Sequence, residues 1–434
     1  MLIIDGGRDE GDLRRPNLLL RQRRLLRGWS QQEEADQILR VADATGIRGL
    51  RCSGKDVGRW ERGERRPAWP YTQLLCLLHQ TTADQLGLLV RVEEIEGARI
   101  DNVDRRDLFK YGLGLAAAAA AVDWERLAAG AADPRYLDGS IISGLQELTW
   151  EFGRRSHSMA PASLLPTTQH HLLRIQQLAR DVPAGDHHEQ LIALLGETAV
   201  VAGRLSYQLD NRGHAENLYE LAERCGIEAD DPALRAQAYI GLSYLCSTVA
   251  RGGGESDRRA LRLLDHAVDT GPALPVLRAW TYARRAEEHA ARHDEGAAAR
   301  DLSAAQGALD EASGEERGLL SQWGQPWLDG YRANVYLLAH QPGLAEQVST
   351  AALARLDSSL LYQRSALLSD IARAQAEQGD IDRACATLEE ALDLARRQSV
   401  EVRLQHVRRA RERMGRDVDS AALRRLDEKL DLIA

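Results

Sequence analysis

The chain has 434 residues, 44% of them hydrophobic, enough for two or three domains that each bury a core. Leu and Ala dominate the apolar set, Phe occurs only at Phe109 and Phe152, and no stretch approaches the ~20 apolar residues of a membrane span, so an all-α protein is expected and a membrane partner is not. The net charge of -9 is uneven: Gly11 to Pro70 holds 14 Lys/Arg against 8 Asp/Glu, a basic head on an acidic body, and only the head is suited to nucleic acid.

The opening MLIIDGGRDEGD lacks the basic start and long apolar run of a secretory signal, and residues 1–14 are expected to form a flexible tail. Cys52, Cys76, Cys225, Cys246 and Cys385 are scattered, odd in number and free of any CxxC pair, which favours a reducing, cytoplasmic setting over a disulfide framework or zinc knuckle. A first short helix is expected in Asn17–Trp29, with Leu18, Leu19, Leu25 and Leu26 on its apolar side and Arg between them. Gly28 ends it. Ser30 followed by Glu33 is a capping-box signature for a second helix, and Ser53 followed by Asp56 repeats it for a third over Ser53–Arg62, stopped by Gly63. A fourth helix is expected over Tyr71–His79 and a small fifth at Thr82–Gly87.

Within a head domain expected over residues 15–90, Trp29-Ser30-Gln31 and the run VGRWERGERRP (Val57–Pro67) carry a resemblance, over roughly residues 15–88, to the Cro/phage-repressor (xenobiotic-response-element) helix-turn-helix family. That resemblance implies double-stranded DNA as partner, with the third helix in the major groove. By match, Ser53, Gly54, Lys55, Asp56 and Arg59 would face base edges or nearby phosphates, Lys55 and Arg59 reading guanine. Gln31 would hold a phosphate or base, and Arg62, Arg65 and Arg66 would grip the backbone. It also implies that Trp60 and Val57 point inward and that Glu61 pairs with an Arg of the same domain. Two departures stand out: the family's Ser is Gly58, and Ser30 to Ser53 is about twelve residues longer than the family's gap. Either the second helix runs on through Gln37–Asp43, or the segment ATGIRGLRC forms a loop, with Arg48 or Arg51 as added DNA contacts.

Residues 91–137 read as a linker and an Ala-rich connecting helix. Within them DRRDLFKYGLGLAAAAAAV resembles a twin-arginine export signal, but lies behind a complete domain, where such signals do not act.

From Asp138 to Ala434 helical periodicity is continuous, and one pattern recurs: a polar turn, then a small residue, a bulky one four later and a small one three after that. It reads Ala384/Leu388/Ala391, Ala298/Leu302/Ala305 and Ala260/Leu264/Ala267, with weaker copies around Asn217–Leu221 and Ala345–Ala352. These segments resemble tetratricopeptide repeats, which implies an α-superhelix with a concave face. Its most unusual stretch is SQWGQPWLDGYRANVYLL, where Trp323, Trp327, Tyr331, Arg332 and Asn334 are candidate effector-binding residues; Trp280, Tyr282 and Arg285 are a fainter set. His289 and His293 lack a third ligand at a diagnostic offset, so no metal is expected, and no cofactor or catalytic motif is present.

Together these features resemble actinobacterial and quorum-sensing-type regulators that pair such a head with such repeats. The expectation is a homodimeric transcription regulator, not an enzyme, whose body binds a peptide or small signalling molecule. The alternative is a scaffold whose repeats hold a protein partner while the head tethers it to DNA.

Overall fold

The computed structural model describes residues 17–44, 50–63, 67, 71–79, 86, 88, 137–247, 258–312, 318–414 and 420–431. Every regular element among them is an α-helix, and the chain divides into two units, Met1–Asn102 and Val103–Ala434. The expected N-terminal tail, the fifth head helix apart from Leu86, Arg48, Arg65, Arg66 and the twin-arginine-like stretch lie outside the described residues.

In the first unit, α1 (Leu18–Leu26), α2 (Gln31–Ala44), α3 (Gly54–Glu61) and α4 (Tyr71–His79) surround Leu20, Ile38, Val57, Trp60, Leu74 and Leu75. Both expected capping boxes form. The Ser30 amide donates to Glu33 Oε2 at 2.7 Å while Ser30 Oγ accepts from the Glu33 amide at 3.2 Å. At α3 the Ser53 amide donates to Asp56 Oδ2 at 3.0 Å. Gly63, at φ 72°, takes the left-handed turn after α3, a conformation that costs a residue with a Cβ. α2 runs through Gln37–Asp43 to Ala44, as the first of the two alternatives has it, and residues 45–49 of the other lie outside the described residues.

One expectation fails at α1. Leu18, Leu19 and Leu25 are exposed, and among the described side chains of α1 the buried ones are Leu20 and Arg24, one turn apart; the Leu26 side chain lies outside them. The helix is rotated because Arg24 is drawn into the core by Glu61, Glu34 and the Trp29 carbonyl, and an ionic anchor of this kind leaves no mark in a hydrophobic pattern.

The first described helix of the second unit is α5 (Gly139–Arg155), whose N-cap Asp138 accepts from the Ser140 and Ile141 amides. α6 (Pro161–Asp181) follows, and then five helix pairs: α7 (Asp186–Gln208) with α8 (Arg212–Glu228), α9 (Pro232–Cys246) with α10 (Arg259–Asp269), α11 (Pro275–Ala290) with α12 (Glu295–Asp310), α13 (Gln325–Leu338) with α14 (Pro342–Arg355), and α15 (Leu361–Glu377) with α16 (Ile381–Gln398). α17 (Glu401–Arg413) and α18 (Ala421–Asp431) complete it, α18 burying Ala422, Leu423 and Leu426. Four pairs turn through a left-handed residue, Asp210, His293, His340 or Gly379, followed by Asn211, Asp294, Gln341 or Asp380 as N-cap. This shared turn repeats along the chain with little sequence identity.

The recurring small residues lie on the second helix of each pair. Ala260, Ala267, Ala384 and Ala391 are buried and let that helix approach its neighbours, with Leu264 and Leu388 filling the groove. Burying each of those leucines contributes about 1.5–3 kcal/mol. In α8 the pattern sits two residues earlier than the sequence reading placed it: Ala215, Tyr219 and Ala222 are the buried set.

The first helices of successive pairs also pack on one another, α7 on α9, α9 on α11, α11 on α13, α13 on α15, and α15 on α17. They form an inner row. α17 in turn meets α7, with Gln405 Nε2 donating to Asp210 Oδ2 at 2.9 Å across 195 residues of sequence. Tyr362 N and Gln398 Nε2 both donate to the His157 carbonyl, each at 3.2 Å. The row therefore closes on itself.

Candidate functional site

Two places concentrate polar chemistry, one in each unit. In the first, α3 is pinned from behind. Arg24 Nε donates to Glu61 Oε1 at 2.6 Å and Arg24 Nη2 to Glu61 Oε2 at 3.1 Å, a bidentate pair that is buried on both sides. Gln31 Nε2 adds a bond to Glu61 Oε2 at 2.7 Å. The inward Glu61–Arg pair and the burial of Val57 and Trp60 agree with the sequence reading.

Gly58 is explained by the same network. A Cβ there would stand 2.8 Å from Gln31 Oε1, so glycine leaves room for the amide that reaches Glu61. At Gly54 a Cβ would meet the Gln32 backbone nitrogen at 2.9 Å, so α2 and α3 cross backbone to backbone there. Of the residues matched to DNA contacts, Lys55, Arg59 and Arg62 are exposed. Ser53 and Asp56 hold each other in the cap, Gly54 packs on α2, and Gln31 is bonded within the unit.

In the second unit the closed inner row encloses a chamber of about 350 Å³. Each helix of the row presents a triplet at positions i, i+4 and i+7: Val200/Arg204/Tyr207, Gln237/Gly241/Tyr244, Trp280/Arg284/Glu287, Trp327/Tyr331/Asn334, Ala366/Asp370/Arg373 and His406/Ala410/Arg413. His157, Tyr219, Trp323, Tyr362 and Arg403 complete most of the wall. Eight of the chain's 21 Phe, Trp and Tyr residues line this one space.

Tyr219 enters it from α8 between two glycines. A Cβ on Gly241 would stand 2.4 Å from its ring, and one on Gly203 2.8 Å. Tyr244 and Tyr331 share a hydroxyl hydrogen bond of 2.5 Å, and Trp280 Nε1 donates to Tyr331 Oη at 2.8 Å. Arg284 stacks over Tyr244 at 4.7 Å and Arg403 over Tyr362 at 4.0 Å.

No family model and no curated protein matches this chain.

The charges in the chamber fall into two groups. Arg284 is paired with Glu287 and Glu288, and Asn334 Nδ2 donates to Glu287 Oε1 at 2.8 Å. Burial nevertheless pushes the Glu287 carboxyl up to about 7 and that of Asp370 up to about 6. Around His157 and His406 stand Arg204, Arg403, Arg409 and Arg413; burial, aided by these cations, holds both imidazoles well below the usual histidine range, so they are neutral near pH 7. Among the described residues no carboxylate forms an ion pair with Arg204 or Arg403.

Of the candidate effector residues, Trp323, Trp327, Tyr331 and Asn334 line the chamber, as does Trp280. Arg332 does not: its guanidinium lies on Asp329 and Gln306, on the other side of α13. Arg285 is bound to Asp301 and Asp265, and His289 approaches Asp301, so neither that Arg nor that His faces the chamber. Sequence reading missed His157, Arg204, Tyr244, Arg284 and Arg403. The available signal was the triplet: a helix whose inward stripe carries Arg, Glu, Asn and aromatics where a plain core helix carries Leu and Ala. Among the described residues no cluster has the make-up of a metal site, and no helix is long and apolar enough to cross a membrane.

Proposed function

We propose that this protein is a one-component transcription regulator. Its first unit is a helix-turn-helix domain of the Cro/phage-repressor kind that reads operator DNA through α3. Its second unit is a tetratricopeptide-like ring that binds an effector in the central chamber and holds two chains together as a homodimer in the cytoplasm of a bacterium. The observation that carries the reading is the anchoring of α3: Arg24, Gln31 and Glu61 fix the helix from inside while Lys55 and Arg59 project into solvent. Rigid support behind two free cations is what direct readout of base edges needs. The ring favours an effector over a docked protein partner, because a scaffold needs an open concave groove and here α17 meets α7. A ligand that prefers one geometry of the ring would change the placing of two heads on paired half-sites, and so DNA affinity.

Selection from random duplexes with the full chain, followed by titration of the winning site at several salt concentrations, tests this. A palindromic site is expected, with affinity that falls steeply with salt. Lys55→Ala and Arg59→Ala should each weaken it by about 1–3 kcal/mol at the contacted base pair, with unfolding unchanged. Failure to enrich any site overturns the regulator reading.

A further inference from the structure

The chamber also specifies the chemistry of what it holds. We infer that its ligand is a small planar aromatic acid, with the ring system against the Trp and Tyr wall and the anionic group toward Arg204 and Arg403. This rests on the regulator reading only in calling that ligand an effector.

Size comes first. At about 350 Å³ the chamber sits at the small end of ligand pockets. That suits a ring system with one or two substituents.

Polarity comes second. The buried Nε–H groups of Arg204 and Arg403 and the indole N–H groups of Trp323 and Trp327 have no acceptor within the protein. With Arg284 Nε, on a guanidinium otherwise paired with Glu287 and Glu288, these are five donors on chamber-lining side chains; the unpartnered counterparts are Gln322 Oε1 and the neutral His157 Nδ1. An unmet buried donor costs about 1–3 kcal/mol, and an acceptor-only group such as a carboxylate offsets it best. Arg204 has one further bond, from Nη2 to the Gly153 carbonyl at 3.3 Å, and Arg403 Nη1 lies 3.0 Å from His406 Nδ1, and neither guanidinium is held in an ion pair. Two carboxylates could compete: Glu287, already engaged by Arg284 and Asn334, and Asp370 on α15, which lies within electrostatic reach of both Arg373 and Arg403 but forms an ion pair with neither.

Shape comes third. Tyr244, Trp280 and Tyr331 are locked together by their own hydrogen bonds, and Trp327 is fixed edge-on to His157 at 4.9 Å. Rigid rings, of which Tyr244, Trp280 and Tyr331 have their polar tips satisfied, present flat faces, which suit a planar partner.

The test uses three probes of matched shape, 2-naphthoate, 2-naphthalenemethanol and 2-naphthylmethylamine, titrated into the full chain by calorimetry and by Trp fluorescence. The acid is expected to bind at least about tenfold more tightly than the alcohol, as charge-assisted bonds require, and the amine weakest. Arg204→Gln and Arg403→Gln, on different helices, should each remove about ten- to hundredfold from acid binding while alcohol binding, the report on an intact chamber, stays within about twofold; Arg403→Lys should retain most of the preference. Equal binding of acid and alcohol, tighter binding of the amine, no binding at all, or parallel loss of acid and alcohol in both Gln variants overturns the inference. Operator affinity measured with and without the acid separates the two claims. Tight acid binding with unchanged operator affinity keeps the chamber chemistry and removes the effector role. Intact operator binding without preference for the acid removes this inference alone.

Discussion

The two units use buried arginine in opposite ways. In the first, Arg24 is spent inward: Glu61 takes two of its donors, the Trp29 carbonyl a third, and Glu34 stands 3.7 Å away. Charge is balanced in the core, and the cations left over, Lys55 and Arg59, face outward. In the second, Arg284 is balanced by Glu287 and Glu288, but Arg204 and Arg403 have no carboxylate in ion-pair contact, Asp370 reaching Arg403 only through its field. A paired buried charge holds a shape. An enclosed charge with no internal partner implies a partner from elsewhere.

The sharpest way to break this contrast is Arg24→Ala. It leaves Glu61 in the core of the first unit without a cation, while Glu34 keeps His79 at 2.6 Å, and removal of one partner of a buried pair costs about 3–5 kcal/mol. Hydrogen exchange on the full chain should show α1 to α4 losing protection while α7 to α17 keep theirs; unchanged protection in α3 would mean that the pair does not anchor it. Next in size is Gly241→Ala. The added methyl meets the Tyr219 ring at 2.4 Å, and overpacking of this kind costs about 1–3 kcal/mol. The second unit should melt earlier and the first unchanged, and 2-naphthoate binding should weaken because Tyr219 is displaced from the chamber wall.

The smallest effect concerns pH. The Glu287 carboxyl is raised from 4.5 to about 7 in the folded protein, so the native state holds that proton more tightly than the unfolded chain does. Its contribution is therefore fully favourable below pH 4.5 and declines as pH rises toward about 7. Arg284 and Glu288 on the same helix, Tyr244, Asn334 and Asp370 all bear on it, and Asp370, raised to about 6, adds to the same decline. Urea midpoints of Glu287→Gln at pH 5 and pH 8 should differ less than those of the parent protein; an equal difference would place the pH dependence elsewhere.

Much of this molecule is legible in its residues. Ser30/Glu33 and Ser53/Asp56 announce two helix starts because a cap is a local bond between neighbours in sequence. Ala260/Leu264/Ala267 and Ala384/Leu388/Ala391 mark the outer helices because close packing admits only small residues at those offsets. α1 was misread for the opposite reason: its orientation is set by Glu61, 37 residues away from Arg24, and not by its own leucines. The aromatic cluster at Trp323–Asn334 was visible as composition, but Arg332 could not be separated from its neighbours until the helix had a known inward face.

The sequence by itself determined the helices, their caps and turns, the two-unit division of charge, and the small residues that let helix pairs form. Only the tertiary structure decided that the inner row closes. Curvature accumulates from small rotations at each repeat, and none of them is written in a local motif. Closure brings α17 against α7, and with it Arg403 and His406 into the same chamber as Arg204 and Tyr244, residues that no spacing along the chain connects.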